Sequence, residues 1–191
     1  MPLDIKDELH RKLRVGRANL LANLEDLGEY DLRRPLTPTG TSLLGLVKHL
    51  AGLEYGYLGG CLGHPSQETL TWMEDGSVGE GADMWATSAE SSDYVIGLYG
   101  RACAHADATI AELSLDSPAL VPWWSDQNTT LGVLLIRMVA ETAQHAGHAD
   151  IVRELIDGRA GNTEDLLGDD PAFWGRFTAQ IRDAAEEFKA R

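Results

Sequence analysis

Apolar positions recur at helical spacing along most of the chain and divide it into five segments. Between residues 4 and 28, Leu9, Leu13, Leu20, Leu24 and Leu27 share one side of a helical wheel among charged positions, and Gly28 closes the segment. The turn-rich stretch Arg34-Pro35-Leu36-Thr37-Pro38-Thr39-Gly40 separates it from a second helix that Thr41 or Ser42 can cap. That helix runs to about Gly60, with Leu43, Leu46, Leu50, Leu53 and Tyr57 on its core side. The period is lost over residues 62–87, where His64-Pro65, Asp75-Gly76 and Gly79-Glu80-Gly81 mark a long ordered loop holding Trp72 and Trp85. Ser88 or Ser91 caps a third helix with the stripe Val95, Leu98, Ala102, Ala106, Thr109 and Leu113, which ends before Ser117-Pro118. A short loop with Trp123 and Trp124 leads to a fourth helix, opening at Thr129 or Thr130 and stopped after Asp157 by Gly158. A last helix spans residues 171–189.

With no run of alternating polarity and no strand-helix-strand rhythm, this pattern predicts an all-α four-helix bundle. It adds a C-terminal helix and a long loop between helices two and three. No internal repeat or composition break appears, so residues 1–191 read as one domain. At 43% apolar and 24% charged residues the chain has the makeup of a globular protein, which excludes disordered and fibrous classes. Sixteen basic against thirty acidic residues leave a net charge of −14, which repels nucleic acid and anionic membrane surfaces. No apolar run approaches the ~20 residues of a membrane span, and the charged start MPLDIKDELHRKLRVG has no signal-peptide core, so a cytoplasmic location is expected. Cys61 and Cys103 lack a paired spacing and read as free thiols in helices. Asn128-Thr129-Thr130 matches a glycosylation sequon but fits a helix N-cap better.

The fourth helix carries the chemistry. Leu134, Met138, Glu141, His145, His148, Val152 and Leu155 form one heptad seam whose ends are apolar and whose middle is ionisable. At 100° per residue the three ionisable positions span about 60° of arc. Glu141 and His145, one turn apart, have the geometry with which two helical side chains grip a metal ion such as zinc or nickel. A third ligand has to come from a facing helix, and His49, flanked by Leu46, Leu50 and Leu53, is the imidazole on another apolar face. The expected metal set is therefore His49, Glu141 and His145, with His148 as an additional ligand, a proton carrier or a group behind the ligands. A set of His49, His145 and His148, with Glu141 behind it, is the alternative. Gly52, Gly56 and Gly60 lie within about 60° of His49, either leaving room for a substrate or letting two helices approach closely. Trp72, Trp85, Trp123 and Trp124 either wall a pocket mouth or cap the core. His105 lacks a partner at metal spacing and reads as a core-edge histidine.

Taken together, Leu46-Val47-Lys48-His49-Leu50, Thr37-Pro38-Thr39-Gly40-Thr41-Ser42-Leu43, Trp123-Trp124-Ser125 and the run from Glu141 to Gly158 resemble the DinB/YfiT-like superfamily, in its DUF664 branch. The resemblance implies a four-helix bundle with an added helix, a homodimer, and a divalent metal held by one side chain of the second helix and two of a later one. The set His, Glu, His is that of mycothiol-dependent isomerases similar to this chain. It also implies a low-molecular-weight thiol cosubstrate, mycothiol in kind, and an electrophilic small molecule as its acceptor. Three protein ligands leave a coordination position open for thiolate or water. An S-transferase or isomerase acting through a metal-stabilised thiolate is the first expectation, with zinc the leading metal and nickel or another divalent ion as alternatives. The other two are a hydrolase using His148 or Glu54 as general base, and a non-catalytic metal-binding stress-response dimer.

Overall fold

The computed structural model describes residues 4–159 and 170–189. Among these residues lie seven α-helices and one two-stranded hairpin, the all-α architecture expected. The chain divides into two compact units, Met1–Gly161 and Asn162–Arg191.

In the first unit, α1 spans Ile5–Ala22, with the Asp4 carboxylate accepting from the Lys6 amide at its start. It ends earlier than its leucine spacing suggests, because Asn23 caps it and Asp26 takes a left-handed backbone with φ 62°. A short helix, α2, follows at Glu29–Arg33, between the expected end of the first helix at Gly28 and the turn-rich stretch from Arg34. α3 spans Leu43–Tyr57, capped by the Ser42 hydroxyl accepting from the Gly45 amide. The loop after α3 is ordered by short pieces, among them α4 at Thr71–Glu74, and Ser91 caps α5 at Ser92–Glu112. The loop holding Trp123 and Trp124 is the tip of an antiparallel hairpin, β1 Pro118–Leu120 against β2 Asn128–Thr130. Asn128 and Thr129 therefore belong to a strand rather than a cap. Thr130 holds the N-cap position of α6, Leu131–Asp157, without a side-chain bond, and the first amides of α6 donate instead to the Ser117 and Leu115 carbonyls. Gly158, with φ 78°, ends α6 as expected.

α1 packs along α6, α3 packs along α5, and α3 also meets α6. One core cluster gathers Leu20, Leu43, Leu46, Leu50, Val95, Leu98 and Val152; a second gathers Leu13, Leu58, Ile110, Leu134, Leu135 and Met138. The buried side of α6 runs through Met138, Thr142, Ala146, Ala149 and Val152. Glu141 and His145 flank this stripe half-buried, and His148 is exposed. Leu155, expected at the end of the seam, is 58% exposed. The reason is geometric: a straight helix drifts by about 20° per heptad, so over the three heptads from Leu134 to Leu155 a strict seam turns about 60° from the face on which it starts.

The second unit contributes α7, Pro171–Glu186, started by the Asp170 carboxylate accepting from two amides, against an expected span of 171–189. Phe173, Trp174 and Phe177 touch one another along it.

Candidate functional site

Gly45 determines where the loop after α3 can lie. A Cβ at that position would stand 1.9 Å from the Met84 carbonyl oxygen, so residues 82–84 rest directly on the first turn of α3. This contact delivers Asp83, only 8% exposed, to His49 one turn further along. The His49 Nδ1–H donates to Asp83 Oδ2 at 2.6 Å. A carboxylate bonded to Nδ1 is the arrangement that orients a metal-binding imidazole and turns Nε2 outward.

From α6, His145 meets this group edge-on. Its ring centroid lies 5.0 Å from that of His49 and 5.4 Å from that of His148. Glu141, one turn earlier, places Oε2 3.7 Å from His145 Nε2 and accepts at Oε1 from Arg137 Nη2 at 3.0 Å. The Arg137 guanidinium lies beside two neighbouring aromatic rings, with Cζ 5.0 Å from the Tyr57 centroid and 5.5 Å from that of Trp124. Tyr57 is fixed in turn, its hydroxyl accepting from the Trp123 and Trp124 indole N–H groups at 3.1 and 3.3 Å. A continuous chain of contacts thus runs from the hairpin tip to His145.

Burial, reinforced by the neighbouring imidazoles of His49 and His148 and opposed by Glu141, pushes His145 down to about 4. The ring is neutral at neutral pH, and its Nδ1 is buried without a hydrogen-bond partner. An orphaned imidazole nitrogen is costly unless a donor or a cation meets it. Three imidazoles and a carboxylate on facing helices are the donor set that divalent zinc or nickel takes, so the residues fit such an ion. Among the described residues no group of three or more His, Cys, Asp or Glu side chains is arranged, as it stands, to hold a metal. Glu141 is held by Arg137, and His148 faces solvent.

The structure brings together His49, Glu141, His145 and His148, the residues expected from the sequence. Glu54 is not available as a general base. Fully buried on α3, it accepts from Arg17 Nε and Nη2 at 2.7 Å each, and burial pushes its carboxyl up while those bonds oppose the shift. His105 donates to the His64 carbonyl at 2.8 Å and stays outside the site, as expected. Cys61 and Cys103 are free, and burial raises both thiols, Cys103 to about 12, so neither is a ready nucleophile. Cys61 sits in a short 3-10 turn rather than a helix.

Asp83 and Arg137 hydrogen-bond two of the candidate site residues, and the periodicity does not mark them. The spacing of Arg137 four residues before Glu141 was a readable signal; nothing local to Asp83 was. A separate cavity of about 400 Å³ opens beside Lys48, Trp72, Trp85, Glu90 and Tyr94, and none of the four ionisable site residues lines it. Lys48 Nζ lies 4.5 Å from the Trp72 ring centroid and donates to the Trp85 carbonyl and Glu90 at 3.0 Å.

The model of the family described as Mycothiol-S-transferase matches residues 8–158, from α1 through the end of α6. The chain belongs to the mycothiol S-transferase family. The matched span contains all four ionisable site residues of this mycothiol S-transferase family member, and α7 lies beyond it. A crystal structure of a conserved protein of a locus from Enterococcus faecalis is similar in fold, with a TM-score of 0.64 at 14% identity. The similarity covers 82% of this chain and 99% of that one, which supports the bundle and no more. No curated protein matches the sequence. Among the described residues no helix is long and apolar enough to cross a membrane.

Proposed function

We propose that this chain transfers the sulfur of mycothiol to an electrophilic carbon, with a divalent metal ion, zinc foremost, as its cofactor at His49, Glu141 and His145. The observation that carries the reading is the edge contact of His49 and His145 across two helices, with Glu141 Oε2 3.7 Å from His145 Nε2. A divalent cation there supplies stabilisation of a thiolate over a thiol near neutral pH.

The chain's own residues do the rest. Asp83 holds the His49 ring and its tautomer. Arg137, resting against the Tyr57 and Trp124 rings, holds Glu141 beside His145. His148, exposed and in ring contact with His145, passes the thiol proton to solvent. A carbon–sulfur bond then forms at the acceptor, and the leaving group departs with the electrons of its bond. Free Cys61 and Cys103 accord with a cytoplasmic location. A second copy of the chain is the macromolecular partner of this reading, consistent with exposed Val133, Ile136, Ile151 and Leu155 on α6.

The test is metal content of protein purified without a metal-affinity tag, for wild type and for His49→Ala, Glu141→Ala, His145→Ala and His148→Ala, followed by mycothiol-dependent consumption of an alkyl or aryl halide. Near-stoichiometric metal lost in the first three variants and kept in His148→Ala, with thiol-dependent turnover in wild type, is expected. No bound ion and no uptake of added zinc or nickel overturns the reading.

A further inference from the structure

Glycine is a poor helix former, and inside a helix its usual justification is a neighbour too close for a side chain. Gly45 has such a neighbour in the Met84 carbonyl. Gly52 and Gly56, on the same side of α3 as His49, do not. Within 4 Å of a Cβ added at either position lies a single indole atom, Trp72 Nε1 at 3.6 Å over Gly52 and Trp123 Cη2 at 3.9 Å over Gly56. Both glycines are half-buried. No helix approaches this face closely enough to require them; among the described residues the only neighbours within 4 Å are the two indoles, each at ordinary contact distance.

A second observation points to a ligand there. Trp72 is 3% exposed, yet its buried indole N–H, the atom nearest a Cβ at Gly52, has no hydrogen-bond partner. An amide carbonyl or hydroxyl lying over Gly52 would satisfy it. At the far end Trp123 is 58% exposed, with its N–H anchored on the Tyr57 hydroxyl and its ring held 5.4 Å from that of Tyr57. A fixed, solvent-facing indole offers an apolar surface to the C–H face of a sugar ring. Arg137, the cation at this end, is already paired with Glu141, so a ligand here needs no charge.

We propose that the Gly52–Gly56 face of α3, between the buried Trp72 N–H and the exposed Trp123 indole, docks the uncharged, hydroxyl-rich sugar portion of mycothiol while its sulfur lies at His49 and His145. The proposal rests on the transferase reading above. The lengths agree: seven residues from His49 to Gly56 rise about 10 Å. At about 1.5 Å per bond, the path from the cysteinyl sulfur through the amide to the sugars is of the same order.

S-methyl mycothiol separates docking from thiolate chemistry, because a thioether cannot ionise. Its binding to metal-loaded wild type, Gly56→Leu and Trp123→Ala is measured by calorimetry and tryptophan fluorescence, beside mycothiol KM, metal content and thermal melting. Gly56→Leu with retained metal and melting temperature is expected to weaken S-methyl mycothiol and raise mycothiol KM at least tenfold; Trp123→Ala, in a hairpin tip, gives the same reading should the helix variant fail to fold. Affinities within twofold of wild type while mycothiol-dependent transfer continues overturn the groove and leave the transferase standing. Wild type that neither binds S-methyl mycothiol nor transfers mycothiol overturns both.

Discussion

Asp83 accepts the Nδ1–H of His49 at 2.6 Å across 34 residues of sequence, and this bond ties the long loop to the proposed ligand set. A carboxylate behind an imidazole ligand fixes its tautomer and raises its basicity, and loss of such a partner costs about 10–100-fold in metal affinity. Asp83→Ala is therefore expected to weaken zinc binding by about that factor, measured by competition with a chelating indicator. Asp83→Asn keeps an acceptor oxygen and is expected to recover part of the loss. Equal affinity in wild type and Asp83→Ala would reduce the bond to a loop anchor.

The buried pair Arg17 and Glu54 supports a prediction about stability. The guanidinium bridges α1 to α3 through two 2.7 Å bonds to a fully buried carboxylate and a third, at 2.6 Å, to Asp107 on α5. Removing one member of a buried pair strands the other charge, at a cost of about 3–5 kcal/mol. Glu54→Ala is expected to fall in that range by urea denaturation, whereas the double variant Arg17→Met with Glu54→Leu is expected to recover most of the loss. A Glu54→Ala variant within 1 kcal/mol of wild type would contradict the assignment; about 1 kcal/mol is what an exposed pair contributes.

Glu54 also shows where reading along one helix stops being informative. It reads as a candidate general base, but its partner lies 37 residues away on another element. His49 was legible because leucines one turn either side define a core face. Glu141, His145 and His148 were legible as neighbours because i, i+3 and i, i+4 proximity is a property of the helix alone. Their depth was not: the core of α6 follows the small residues Thr142, Ala146 and Ala149, and neither helix packing nor the drift of a heptad is visible locally. The hairpin was missed for a similar reason, since strands of three residues are too short to display an alternating pattern.

Acid is expected to loosen the bundle through Asp107 and Glu90. Burial alone would raise the Asp107 carboxyl, but bonds from Arg17 and His10 hold it below its ordinary range. Glu90 is likewise held low against burial by the Thr87 amide and Lys48. A carboxylate whose folded pKa lies below its unfolded value contributes stability that is complete above the unfolded value, near 4, and is lost as pH falls through the folded one. These two carboxylates are expected to steepen the decline of the urea midpoints only below about pH 5, the loss between pH 7 and 5 being that of protonating His145, held at about 4 in the fold. Asp107→Asn is expected to start lower at pH 7 and decline less. A decline as steep as that of wild type would remove Asp107 as a source of acid sensitivity.

Two glycines on one helix are expected to respond in opposite directions to the same substitution. At Gly45 an added methyl would sit 1.9 Å from the Met84 carbonyl oxygen, a backbone atom that moves only with its loop. Overpacking of this kind costs about 1–3 kcal/mol, and displacement of the loop also pulls Asp83 from His49. At Gly52 the methyl meets one indole nitrogen at 3.6 Å, an ordinary contact, while replacement of glycine inside a helix gains about 0.5–1 kcal/mol. Gly45→Ala is therefore expected to melt lower and bind zinc more weakly, and Gly52→Ala to melt higher with zinc affinity intact. Should Gly45→Ala melt with wild type and keep its metal, the loop would not be what holds Asp83 on His49.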